Sequence, residues 1–175
     1  MTTLAFGINH KSASVDLRGK IAFAPEIVVQ ALQDARSILH VQETALLSTC
    51  NRTELYLHGD VTDTQLLTWL AMVKGVEIGQ LKSCYYCYRG EEAVTHMMRV
   101  ASGLDSLILG EPQIFGQIKS AYAVGQEAGT VSTVLNQVFQ QVFSAAKRVR
   151  SETAIGKNPV SVAYASVNLA TQIFA

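Results

Sequence analysis

A chain of 175 residues, 49% hydrophobic and 16% charged, has the make-up of a folded globular protein with a sizeable core: one domain, or one domain and the start of another. Its 14 basic and 14 acidic side chains cancel, which excludes general electrostatic binding to nucleic acid or membrane and leaves a polyanionic partner only a local basic patch. Met1-Thr2-Thr3 carries no basic signal-peptide region, no apolar run approaches the roughly 18 residues of a membrane span, and three cysteines fit a reducing, cytoplasmic setting rather than a disulfide framework.

Residues 3–9 (TLAFGIN) are short, apolar and β-leaning, and predict a first strand ending near His10-Lys11. Pro25 opens a stretch, 25–40, in which Ile27, Val28, Ala31, Leu32, Ala35, Ile38 and Leu39 recur at helical spacing. Residues 44–49 and 53–58 predict two strands that meet at Cys50-Asn51-Arg52. A second amphipathic helix fits 62–73, with Leu66, Leu67, Leu70 and Val73 inward, and 83–88 (SCYYCY) predicts a last strand. The order β-α-β-β-α-β is the ferredoxin-like split pattern. After Gly90 the composition turns helical over 91–102, 111–128 and 132–153, with breaks at Gly103, Gly110 and Gly129-Thr130 and with Ser132 as an N-cap. The predicted class is therefore α+β, a ferredoxin-like sheet layer followed by a helical segment. Gly156-Lys157-Asn158-Pro159 makes a further break before an apolar helix over 160–174, and the chain stops with that helix, as expected of a piece of a longer protein.

The chemistry concentrates at Ser48-Thr49-Cys50-Asn51-Arg52-Thr53. Cys50 reads either as a small buried hydrophobe or as a nucleophile beside a cation, since a neighbouring positive charge raises the thiolate fraction. Arg52 could instead hold a substrate carboxylate with its planar fork. Cys84 and Cys87 form a lone C-x-x-C with no second ligand pair, which reads as filler rather than as a metal or redox site. His40 and His58 lie at element ends and read as solvated; His96, inside a helical stretch, is a structural histidine by default or a general acid or base if its helix packs on the Cys50 turn. In Ser106–Gln117 (SLILGEPQIFGQ), Glu111 and Pro112 suit a helix start, while Gln113 and Gln117 share one face that could meet a polar ligand. Lys147, Arg148 and Arg150 cluster near a helix end, where a solvated terminus and a phosphate contact are both available readings. No glycine-rich dinucleotide or nucleotide loop is present.

Four stretches, GINHKSA (7–13), STCNRTELY (48–56), HMMRVASGLDSLILGEPQIFGQIK (96–119) and SAAKRVRSET (144–153), together resemble the glutamyl-tRNA reductase family. The resemblance implies a specific activity: glutamyl-tRNA(Glu) and NADPH give glutamate-1-semialdehyde through a cysteinyl thioester, the first step of tetrapyrrole synthesis by the five-carbon route. It maps the nucleophile onto Cys50 and a histidine important for activity onto His96. Thr49, Asn51, Arg52, Ser106, Glu111, Pro112, Gln113 and Gln117 fall on substrate-binding positions, with Arg52 for the side-chain carboxylate and Glu111 for the α-ammonium group. Lys147, Arg148 and Arg150 become expected tRNA contacts.

By the same resemblance, residues 1–155 form the catalytic domain. Residues 156–175 form a linker and first helix leading to an NADPH-binding domain, so the cofactor has no binding residues here. The family implies a homodimer, and channelling of the product to glutamate-1-semialdehyde aminomutase. This chain alone is expected to form the thioester and hydrolyse it. Two other classes compete: a module that binds tRNA or a regulator without chemistry, and a metal or redox protein built on Cys84 and Cys87.

Overall fold

The computed structural model describes residues 1–156; the helix expected over 160–174 lies outside the described residues. Strand β1 (Thr2–Asn9) is followed by helices α1 (Val15–Ile21) and α2 (Pro25–Ile38), then by the hairpin of β2 (Glu43–Ser48) and β3 (Arg52–Gly59). Helices α3 (Asp63–Lys74) and α4 (Ile78–Lys82) lead to β4 (Tyr86–Arg89), then α5 (Glu91–Ala101), α6 (Gln113–Glu127) and α7 (Thr133–Glu152) follow, with a 3-10 turn (Ala154–Gly156) at the end of the described residues. The four strands pair antiparallel in the order β2-β3-β1-β4, which is the ferredoxin-like arrangement predicted from the element order.

Both faces of the sheet are covered. Leu4, Phe6, Ile8, Leu55 and Leu57 pack on one side against Leu32 of α2 and Leu66, Trp69 and Leu70 of α3. Ala5, Ala45, Leu47 and Tyr56 alternate onto the other side, against Met97 of α5, Ile118 of α6 and Phe139 of α7. Each fully buried leucine contributes about 1.5–3 kcal/mol over an exposed one, so neither face could be left to solvent cheaply.

Several local expectations change. In α2 the buried stripe is Ala31, Leu32, Ala35 and Leu39, while Ile27 and Ile38 point outward, because a stripe at 3.6-residue spacing cannot hold all seven positions. In α3 the inward set gains Trp69, stacked on Phe23, and Val73 is only partly buried. Helix α1, not foreseen, starts at Ser14, whose side chain accepts from the Leu17 N–H. The last strand begins at Tyr86, since residues 78–82 take a short helical turn and leave Cys84 between the two elements.

The start of α7 is the largest correction. Ser132 sits at the N-cap but makes no side-chain cap bond. The acceptor is Glu43 of β2, whose carboxylate takes the N–H groups of Ser132, Val134 and Leu135, each at 2.9 Å. Burial opposes ionisation of Glu43, yet these three donors hold its carboxyl below the ordinary range. Replacing Glu43 by Ala is expected to lower unfolding free energy by about 2 kcal/mol, the upper end for a helix cap, and Ser132→Ala by much less. Equal effects of the two changes in urea denaturation would contradict this assignment.

Candidate active site

Strand β2 turns into β3 through Thr49-Cys50-Asn51. The Thr49 N–H donates to the Arg52 carbonyl at 2.8 Å, and the Thr49 hydroxyl accepts from the N–H groups of Asn51 (3.2 Å) and Arg52 (3.1 Å). The His10 N–H donates to the Asn51 carbonyl at 2.9 Å, which ties the turn to the end of β1. With its neighbours so occupied, Cys50 is left exposed at the tip. Among the described residues the guanidinium that touches Cys50 is that of Arg18 on α1: Nε donates to the Cys50 carbonyl at 3.2 Å and an amino group to the Ala13 carbonyl at 2.7 Å.

Arg52 points the other way. Its side chain is 1% exposed, with one amino group 2.6 Å from Glu54 Oε1 and the other on both Asp105 Oδ2 (3.0 Å) and the Asp105 carbonyl (2.5 Å). Burial opposes its charge, but Glu54 more than offsets this and raises the Arg52 pKa. The expected fork for a substrate carboxylate is thus filled from within the chain, and a ligand could take it only by displacing Asp105. Lys11 pairs with the same Asp105 carboxylate, and these two cations hold Asp105 below the usual carboxylate range against the effect of burial.

Glu54 is fully buried and accepts four hydrogen bonds, from Arg52, from the hydroxyls of Tyr56 (2.7 Å) and Tyr86 (2.6 Å), and from His96 Nε2 at 3.1 Å. Burial disfavours its charge, but the donors, led by His96, prevail and lower its pKa. The sheet register explains the cluster. Glu54 of β3 and Tyr86 of β4 both pair with Gly7 of the intervening β1, and a β-carbon at Gly7 would lie 2.7 Å from Glu54 Cγ and 2.9 Å from the Tyr86 hydroxyl. Only glycine leaves room for the tyrosine to reach across one strand to the carboxylate.

His96 on α5 is 8% exposed, its ring stacked on Tyr88 with centroids 4.7 Å apart. It lines a cavity of about 510 Å³ with Tyr88, Glu91, Glu92, Thr95, Arg99 and Asp105. Ser106 follows Asp105, and its buried hydroxyl has no partner; neither has the buried Nδ1 of His10. Burial and the charges of Arg52 and Lys11 lower the His10 pKa. Lys11, Asp105, Arg52 and Glu54 therefore form one chain of ion pairs that runs through the residue closing the Cys50 turn, Arg52, and His96 is hydrogen-bonded to its far end at Glu54.

The remaining expected residues lie elsewhere. Gln113 and Gln117 line a separate groove of about 550 Å³ between α2 and α6, with Phe23, Pro25, Ser48 and Ser120. Glu111 and Pro112 precede α6, and Arg150 of α7 donates to the Glu111 carbonyl at 3.4 Å. Arg148 pairs with Glu152 at 3.0 Å on the helix surface, and Lys147 is exposed. His58 is not solvated as expected: its Nδ1 is buried without a partner, whereas His40 is exposed at a positive φ of 52°.

Cys84 is buried with its thiol toward the Gln80 and Leu81 carbonyls, and Cys87 stands on β4 opposite Phe6. Among the described residues no three His, Cys, Asp or Glu side chains are grouped to hold a metal ion. Burial raises the Cys84 pKa, and burial with Asp63 pushes Cys87 up to about 12. Iodoacetamide at pH 8 is expected to modify Cys50 first, with Cys84 and Cys87 labelled only on unfolding. Peptide mass spectrometry checks this, and equal labelling rates would contradict it.

A dinucleotide does not fit the described residues, because the sheet is wholly antiparallel and offers no parallel β-α-β unit with a glycine-rich turn. Among the described residues no helix is long and apolar enough to cross a membrane.

Residues 6–153 match the family described as glutamyl-tRNAGlu reductase, N-terminal domain. The chain is 58% identical over 174 residues to a glutamyl-tRNA reductase of Saccharophagus degradans, covering 99% of this chain and 41% of that protein. It is 57% identical over 176 residues to one of Pseudomonas putida, again with 41% of the relative covered. Glutamyl-tRNA reductase from Methanopyrus kandleri superposes with a TM-score of 0.74 at 32% identity, over 97% of this chain and 39% of that one. The chain thus spans about two fifths of the length of these relatives. On the sheet order, the Cys50 turn and this match over 6–153, the chain belongs to the glutamyl-tRNA reductase N-terminal domain family.

Proposed function

We propose that this chain carries the acyl-transfer half of glutamyl-tRNA reduction. The observation that carries the reading is Cys50, exposed at a turn whose neighbours are hydrogen-bonded away from it and backed by a buried chain of ion pairs. The Cys50 sulfur attacks the ester carbonyl carbon of glutamyl-tRNA. A C–S bond forms, the bond to the ribose oxygen breaks, and the thiol proton ends on the departing hydroxyl. The thioester so formed divides one difficult reduction into two accessible steps.

In this reading Arg52 meets the substrate side-chain carboxylate by exchange, with Asp105 leaving the guanidinium and retaining Lys11. Ser106, whose hydroxyl has no partner, gains one from the same ligand. Thr49 and Asn51 hold the turn, His96 handles the proton, and Glu111, Pro112, Gln113 and Gln117 extend the site along the start of α6. Lys147, Arg148 and Arg150 contact tRNA phosphates, Arg148 in exchange for its surface pair with Glu152. NADPH belongs to the part of the relatives beyond this chain, as do the dimer contacts and any transfer of product to an aminomutase. Residues 1–155 act as the catalytic unit, in a cytoplasmic setting suited to free thiols.

Mixing the chain with glutamyl-tRNA and recording intact and peptide masses tests the reading. A glutamyl mass on the Cys50 peptide, decaying to free glutamate as water cleaves the thioester, is the expected result. No adduct under any quench would overturn it, and NADPH-dependent aldehyde made by this chain alone would overturn the restriction to acyl transfer.

A further inference from the structure

Glu54 has no bond to make or break in the acyl transfer, yet it is buried completely and its four donors come from two strands and a helix. We propose that Glu54 is a positioning residue for His96: it fixes the imidazole with its proton on Nε2 and leaves Nδ1 as the acceptor offered to the substrate. The proposal rests on the acyl-transfer reading for the use of Nδ1, but not for the position of the proton.

The argument is one of donors and acceptors. The two Glu54 oxygens divide their partners: Oε1 takes Arg52 and the Tyr86 hydroxyl, and Oε2 takes the Tyr56 hydroxyl and His96 Nε2. An ionised carboxylate only accepts, so the proton of the 3.1 Å contact belongs to the imidazole. The lowered Glu54 pKa agrees with an ionised group. Stacking on Tyr88 and contact with Tyr86, ring centroids 5.2 Å apart, hold the plane of the ring, so it has one orientation as well as one tautomer. With Nε2 engaged, the nitrogen left for a ligand is Nδ1.

This is the relation of an orienting carboxylate to a general base in hydrolytic triads, reached here from the neighbouring strand of a sheet. A proton taken up at Nδ1 during the transfer and later returned leaves an imidazolium facing Glu54 in between. The other charged or titratable groups around the ring are Tyr86, Tyr88, Glu91, Glu92, Arg99 and Asp105.

Glu54→Gln separates a positioning role from a structural one. The amide oxygen must stay with Arg52, since its NH₂ cannot face a guanidinium, so the NH₂ replaces Oε2. Tyr56 can rotate its hydroxyl to accept from it. His96 Nε2 can accept only by giving up its proton, and the tautomer must change. Two-bond ¹H–¹⁵N correlations of the imidazole rings in the labelled chain are expected to place the proton on Nε2 in the unaltered chain and after Tyr86→Phe, but on Nδ1 in Glu54→Gln. A folded Glu54→Gln chain that keeps the proton on Nε2 overturns the proposal.

If that variant does not fold, the unaltered chain still decides, because an Nε2 proton held by a buried carboxylate exchanges slowly and gives a resolved N–H resonance. Rapid exchange overturns the proposal. With glutamyl-tRNA, thioester formation in Glu54→Gln is expected to slow roughly 100-fold, the scale of a general base, at nearly constant KM, with Glu54→Asp recovering part of the rate. A change confined to KM counts against it. Absence of adduct from the unaltered chain would instead remove the acyl-transfer reading and leave the tautomer result standing.

Discussion

Cys50→Ser is expected to abolish the glutamyl adduct while leaving the fold and its affinity for glutamyl-tRNA nearly unchanged. The side chain is exposed and makes no packing contact that the core needs, so the unfolding free energy should change by less than about 0.5 kcal/mol, as for ordinary surface changes. The chemistry, by contrast, depends on sulfur: an alcohol is far less ionised than a thiol at neutral pH and returns a plain ester in place of a thioester. Intact mass spectrometry after mixing with glutamyl-tRNA reads the first effect, and filter binding with the aminoacylated tRNA reads the second. An adduct that persists in Cys50→Ser on a peptide other than that of residue 50 would transfer the nucleophile to another residue and remove the basis of the proposed function. Loss of binding together with the adduct would make Cys50 a recognition residue.

Arg52→Met is expected to cost about 3–5 kcal/mol of stability, the range for removing one partner of a buried ion pair. In a domain of this size that lowers Tm by roughly 10 °C. The cause is what remains: Glu54 keeps three neutral or histidine donors but loses its cation, and Asp105 keeps only Lys11, whose side chain is 57% exposed. An arginine that served only a substrate carboxylate would be removed almost without effect on the empty chain, so a change below about 1 kcal/mol would sink the structural role. The pH dependence has a definite sign. Glu43, Glu54 and Asp105 all have lowered folded pKa values, so their contribution is present above the unfolded carboxylate range near 4 and is lost as the pH falls below it. Urea midpoints of the unaltered chain should therefore decline steeply in acid, and those of Arg52→Met less steeply, since two of the three carboxylates have lost their partner.

The β-α-β-β-α-β order was legible because hydrophobic period and turn residues suffice for it, and the sheet has the order that pattern implies. The turn at Cys50 was legible from Thr49, Asn51 and Arg52, but its exposure was not, since a free cysteine is most often a small buried hydrophobe. What the sequence hid was the second face of the sheet. Glu54-Leu55-Tyr56-Leu57 looks like a strand with its polar side toward water, but α5, α6 and α7 lie over that side and bury Glu54 and Tyr56 completely. The signal existed in the spacing: Arg52, Glu54 and Tyr56 alternate onto one face, and a charged pair beside a tyrosine is what a covered polar face needs. Asp105 and Lys11 carried no such signal, since their meeting with Arg52 depends on how a loop after α5 returns to the end of β1. Glu43 was missed for a similar reason: helix caps are sought next to the helix, and this one comes from a strand 89 residues away.

The vacancy at Gly7 has a consequence for how this site tolerates change. The residue touches no ligand and bears no functional group, yet one added methyl group would press on Glu54 and the Tyr86 hydroxyl together. From Glu54 the disturbance passes directly to Arg52 on one side and to His96 on the other. The first strand thus acts as a spacer of fixed thickness between two halves of the polar cluster, and its most inert position sets their distance.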